Sequence, residues 1–210
     1  MSVRPLAFIT ILALAIPVCA QTAAPAPTPA PAPASRQPMP TSIATHPDWP
    51  AAKNPADVDT IEHLMGALYD VISGPAGQQR DWDRFRSLFL PDARMGVIRP
   101  DMPATADKSA RPGDATLFTP DTYVIRDDPF FKANGFFEHG IANRIETFGN
   151  LTSVWSTYES RHAPSDARPF ARGINSLQIV HAQGRYWIAN IMWDDERSGL
   201  TLPEKYLKRP

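Results

Sequence analysis

The stretch from Leu151 to Glu196 most constrains what this chain can fold into. It reads LTSVWSTYESRH, a break, then FARGINSLQIVHAQGRYWIANIMWDDE. Runs rich in β-branched and aromatic residues, separated by Pro/Asp or Gln-Gly punctuation, predict strands joined by hairpins. A sheet of that kind needs cover on at least one face. The segments upstream of it have the periodicity of helices able to supply that cover.

The helical signals are specific. Asn54-Pro55 reads as an N-cap followed by proline at the first helical position. Val58, Ile61, Leu64, Met65, Leu68, Tyr69 and Ile72 then form one apolar stripe. Ser73-Gly74-Pro75 predicts its stop, with Gly74 as a left-handed cap. Asp81 caps a second, shorter helix whose Trp82, Phe85, Leu88 and Phe89 share a face, ended by Leu90-Pro91-Asp92. Arg94 to Arg99 reads as a strand, and Pro100 to Pro112 as a long aperiodic loop, a lid or an insertion. Thr119-Pro120-Asp121 opens a helical segment that Pro129 is expected to interrupt and Gly140 to close. Ile141 to Phe148 alternates as a strand and turns at Gly149-Asn150.

The N-terminal region has a different character. Met1 to Ala20 has a basic start, an apolar run and a small-residue cleavage site, the pattern of a signal peptide cleaved after Ala20. A lipoprotein signal is the rival, but Val18 stands before Cys19 where a small residue is wanted. Cleavage would remove the only cysteine and deliver the protein to a secreted or periplasmic location. Many of the 23 prolines fall in residues 21–50, whose Ala-Pro alternation favours an extended, disordered linker. The remainder reads as one domain over 51–199 with a tail over 200–210. A formal net charge of -1 gives no reason to expect nucleic acid or an anionic membrane as partner.

At this point the chain resembles the nuclear transport factor 2-like superfamily. The residues that carry the resemblance are WDRFRSLFLPDARM, FFEHGIANRIETFGN, VWSTYESR and GRYWIANIMW. The resemblance implies an α+β fold: a single conical domain in which a strongly curved, mostly antiparallel sheet wraps around a long N-terminal helix, with two further helices. Its members include isomerases, dehydratases, epoxide hydrolases and polyketide cyclases, so fold fixes little about function. In the ketosteroid isomerase branch an oxyanion tyrosine falls near Tyr69. The general-base aspartate of that branch would fall at Val97, which cannot take a proton.

Polar residues on apolar strands are the remaining candidates. Glu159 is the candidate acid or base and Tyr69 the candidate partner, each weighed against a bland role as a sheet-bracing ion pair or a core tyrosine. Arg94, Arg144, Arg161, Asn175, Asn190 and Trp193 are candidate pocket residues. The five histidines have no metal-pair spacing, and no phosphate loop or dinucleotide fingerprint is present. No cofactor or metal is therefore expected. Asn150-Leu151-Thr152 matches a glycosylation acceptor.

In the last strand, Tyr186, Ile188 and Met192 on one face and Trp187, Ala189, Ile191 and Trp193 on the other are all apolar. That pattern predicts a covered outer face and a homodimer through the sheet. The functional expectation is an exported cone binding a small apolar molecule. The alternatives are an isomerase, dehydratase or hydrolase using Glu159, and a non-catalytic dimerisation module.

Overall fold

The computed structural model describes residues 42–45, 51–197 and 199–208. Residues 1–20, expected as a signal peptide, and most of the Pro/Ala-rich stretch over 21–50 lie outside the described residues. The elements are α1 (Ile61–Ile72), α2 (Trp82–Ser87), β1 (Phe89–Arg99), β2 (Asp114–Phe118), α3 (Pro120–Ala133), β3 (Phe137–Phe148), β4 (Leu151–Arg161), β5 (Ala171–Ala182) and β6 (Arg185–Asp195). One six-stranded sheet runs in the order β2-β1-β6-β5-β4-β3. All neighbours are antiparallel except β1 and β6, which are parallel. This is the α+β cone that the resemblance implies.

The first helix is shorter than its stripe suggests, because the sequence carries two N-cap signals and both are used. The Asn54 carboxamide accepts from the Ala56 N–H and opens only a 3-10 turn, Pro55–Asp57. Thr60 Oγ1 then accepts from the His63 N–H at 3.1 Å and opens α1. Between them Asp57 is buried and held by Arg84, at 2.7 Å to Nε and 3.0 Å to Nη2. Arg84 also reaches Asp70 on α1. The exit differs as well. Gly74 is not a helix cap but pairs with Phe136 as an antiparallel bridge. The carbonyls left open at the helix end are taken by Arg80, which donates to Ile72 at 2.9 Å, Gly74 at 2.7 Å and Gln78 at 2.8 Å.

Several boundaries move for physical reasons. α3 runs through Pro129, whose missing N–H would have served the carbonyl of the exposed Ile125, where water can replace it. β1 starts at Phe89 rather than Arg94. It takes in Pro91 at a register shift between Phe89 and Arg94, where no ladder N–H is needed. β2 has no counterpart in the sequence reading. Its Phe118 pairs with Met95, and the supposed loop before it closes on itself through Met102–Arg111 and Thr105–Lys108 bridges. β3 starts at Phe137, four residues before Ile141.

The largest correction lies in β6. A register shift between Gln178 and Ile179 pairs Asn190 with Gln178 but Ile188 with Ile179. That bulge, at Ala189, places Ile188, Ile191 and Trp193 together on the inner face and Trp187 and Met192 on the outer one. The two apolar faces read from strict alternation therefore resolve into a core face and a mixed outer face. The C-terminal residues cover part of the latter. Tyr206 stacks on Trp155 at 5.6 Å, and its carbonyl accepts from Thr157 Oγ1 at 2.6 Å.

The core lies between α1, α2, α3 and the inner sheet face: Leu64, Leu68, Phe85, Phe89, Val154, Leu177, Ile179 and Ile188 are at most 3% exposed. Arg80, itself 4% exposed, links this core to the end of α1. Arg80→Ala should lower stability by about 1–3 kcal/mol, because it leaves the buried Ile72 carbonyl without its donor, while the Gly74 carbonyl keeps the Phe136 N–H. Urea unfolding checks this. A loss comparable to that of a surface arginine variant would show that the contacts contribute little.

Candidate functional site

The cone encloses a cavity of about 210 Å³. Leu68, Ile72, Phe85, Met95, Tyr123, Phe131, Phe136, Ile191 and Trp193 give it apolar walls. Its exposed end is at α3, where Arg126 and Phe130 stand; Phe130 is 44% exposed. Its buried end is polar and is built from Tyr69, Glu138, Tyr158 and Asn175.

That polar end assembles because the strands are in a particular register. Glu138 on β3 faces Ser160 on β4, and Asn175 on β5 faces Ser156 on β4. Asn143, past the irregularity between Gly140 and Ala142, also faces Ser156. Period-two alternation then points these side chains inward, toward Tyr69 on α1. Ser160 Oγ donates to Glu138 Oε2 at 2.8 Å. Asn175 Nδ2 donates to Tyr69 Oη at 3.2 Å, and its amide is near enough to the Glu138 carboxyl to favour its charged form. Ser156 Oγ donates to Asn143 Oδ1 at 2.6 Å. A serine has one hydroxyl proton, so Tyr69 is the donor in its 2.6 Å bond to Ser156. Tyr158 donates to Asp195.

Two glycines make room for these rings. A Cβ at Gly140 would lie 3.0 Å from the Tyr69 ring. At Gly173 it would lie 2.5 Å from the Tyr158 hydroxyl and 2.4 Å from a backbone oxygen. Each tyrosine therefore lies against a strand at a position where only glycine leaves it room.

The electrostatics follow from enclosure. Burial pushes the Glu138 carboxyl up to about 7, against the opposing effect of the Ser160 bond and the nearby Asn175 amide, with Asp195 adding a further upward push. Glu138 as a residue is half-buried, because it also borders a wide groove of about 880 Å³ between α1 and β3. Its carboxyl is nonetheless largely enclosed by protein. Burial and the nearby Glu138 charge raise Tyr69. Burial, then the bond to Asp195, raises Tyr158. A carboxyl that titrates near neutrality inside an apolar cavity can give or take a proton at physiological pH.

The structure brings Tyr69, Asn175 and Trp193 to the cavity. It does not bring the other candidates there. Glu159 lies on the outer face, ion-paired with Arg161 and 3.1 Å from His139 Nε2. The Arg161 bond holds its carboxyl below the usual range, the opposite of what an acid near pH 7 requires. Arg161 is occupied by that pair and by the Asp166 carbonyl. Arg94 and Arg144 are exposed, and Asn190, paired with Arg94, faces outward. Glu138 was missed by the sequence reading, which assigns Phe136, Phe137 and Gly140 to a helical segment and its exit. The available signal was the alternation running back from Ile141 through Gly140 to Glu138. Among the described residues, no group of three His, Cys, Asp or Glu is placed to hold a metal ion.

No family model matches the sequence, and no curated protein does. Solved structures do resemble it. One is a protein of unknown function with a cystatin-like fold from Nostoc punctiforme, 10% identical, matching 66% of this chain and 90% of that one with a TM-score of 0.48. Another is a nuclear transport factor 2-like protein of unknown function from Shewanella baltica, 10% identical, matching 65% and 91% with a TM-score of 0.39. A third is a hexachlorocyclohexane dehydrochlorinase from Novosphingobium barchaimii, 10% identical, matching 65% and 84% with a TM-score of 0.44. The site itself must carry the chemistry.

The raised Glu138 value has a thermodynamic consequence. From the ordinary carboxyl value of 4.5 up to about 7, the folded state binds more protons than the unfolded state. Stability therefore falls as pH rises through that window, by roughly 2–3 kcal/mol. Glu138→Gln should flatten the slope. Urea midpoints compared at about pH 5 and about pH 8 check this, and an identical pH dependence in the variant would remove the assignment.

Proposed function

We propose that the cone holds a small, mostly apolar molecule and moves a proton on it, with Glu138 as both acid and base. The observation that carries this reading is a carboxyl titrating near 7 on the wall of an otherwise apolar cavity, fixed by Ser160 and beside Asn175. The size of the cavity supports a ligand of one or two rings, since about 150 Å³ already takes up benzene. The adjoining groove supports turnover, because it gives Glu138 a wet side on which to exchange its proton. The reaction class is isomerisation, dehydration or another elimination. In each of these a base removes a proton next to an electron-withdrawing group. In isomerisation the acid returns it to another carbon; in dehydration it goes to the departing hydroxyl, which leaves as water. In other eliminations the leaving group departs with its electron pair.

Binding without turnover is the second reading. It is favoured by the committed state of Tyr69, which donates to Ser156 and accepts from Asn175. That leaves it no free hydroxyl proton for developing negative charge. The leader-like residues Met1 to Ala20 support action outside the cytosol under either reading. The exposed outer-face residues Leu117, Leu151 and Trp155 support a homodimer through the sheet. Analytical ultracentrifugation at micromolar concentration is expected to give the dimer mass, and a monomer mass would end that part of the reading.

The proton-transfer role is tested by deuterium wash-in at the α-carbon of small cyclic ketones in heavy water, followed by NMR. The wild type should accelerate exchange with an inflection near pH 7. Glu138→Gln should lose about 10²–10⁴-fold of the acceleration. Exchange equally fast in the variant would refute Glu138 as the base. Ketones that bind without any acceleration would leave the second reading in place.

A further inference from the structure

The exposed end of the cone carries a charged group that the proton-transfer reading does not use. Arg126, on α3, is the only lysine or arginine among the described residues that line the cavity. Its position is fixed by two contacts. Its guanidinium sits 4.2 Å over the Phe118 ring, and Phe118 in turn packs against Tyr123 at 6.2 Å and Trp193 at 5.8 Å. Asp127 takes its Nε at 2.8 Å and one Nη2 hydrogen at 2.6 Å.

The pairing with Asp127 is side-on. A guanidinium has a second, end-on edge made of one hydrogen on each terminal nitrogen. Asp127 leaves that edge open, and with it Nη1. The side chain is 40% exposed and lines the cavity. A stacked, half-paired arginine with an open fork has the geometry that recognises a carboxylate through two parallel bonds.

We propose that Arg126 reads a carboxylate on the ligand, so that the cone takes a compact aromatic or alicyclic acid with its ring between the apolar walls and its carboxylate at the α3 mouth. The inference rests on the apolar cavity as the binding site and names the substrate class for it. The remaining lining supports the assignment. Phe130, Phe131, Phe136 and Trp193 offer ring faces but no competing donor of positive charge. Asp127 is a regulator of the site, since its carboxylate competes with the ligand for the same guanidinium.

Calorimetric titration with cinnamate and with its neutral isostere cinnamamide is the test. The wild type should prefer cinnamate by about tenfold. Arg126→Gln should abolish that preference and leave cinnamamide affinity within about twofold, since the cavity walls are untouched. Asp127→Asn should strengthen the preference several-fold, a change that a purely structural Asp127 would not produce. Equal binding of both probes by the wild type, or a preference that survives Arg126→Gln, overturns this inference alone. Binding of neither probe overturns it together with the cavity reading on which it rests.

Discussion

One buried amide holds the centre of this structure together. Asn175 is 5% exposed, and its amide donates to Tyr69 on α1 at 3.2 Å while standing beside Glu138 on the wall of the same cavity. Through it the helix is tied to the middle of the sheet, next to the carboxyl. A neutral bond between such groups is worth about 1 kcal/mol net, whereas leaving any member unpaired costs more. The arrangement therefore acts as a specificity device. It admits only the register in which β3, β4 and β5 present Glu138, Ser160, Ser156 and Asn175 on the same face.

Glu138 and Glu159 show how much depends on that facing. They lie on paired strands, and Glu159 pairs with His139, the neighbour of Glu138. One residue of alternation separates an enclosed carboxyl, raised by burial, from a partly buried one in the adjoining groove, lowered by Arg161. Composition and local sequence are similar for both. The physical difference is the side of the sheet on which each falls.

This explains what was legible beforehand. The stripe from Leu64 to Ile72, the Asp81 cap and the β4 to β6 hairpins follow from local periodicity and capping, so the sequence predicts them well. Tyr69, Asn175 and Trp193 were legible as pocket candidates because they lie within those elements. The failures cluster at irregularities. The bulge at Ala189 exchanges faces along β6, and the shifts near Gly140 and Pro91 are set by cross-strand partners distant in sequence. β2 is five residues long with a mostly exposed pattern, and only the edge of β1 makes it a strand. Glu138 was lost because the end of a helix and the start of a strand cannot be divided by a single glycine.

The hydrogen-bond directions at the buried end decide what chemistry is open to it. Ser160 gives its proton to Glu138, Tyr69 to Ser156, Ser156 to Asn143, and Tyr158 to Asp195. Asn175 gives an amide hydrogen to Tyr69. Glu138 has a proton of its own to offer only in its neutral form. A ligand that presents an acceptor there is held by the protonated carboxyl, and one that presents a donor by the ionised form. Under the proton-transfer proposal, the protonation state of Glu138 selects what is bound as well as what reacts. A carboxyl poised near 7 keeps both states populated, and this is the condition under which one group can remove a proton and return it within a single binding event.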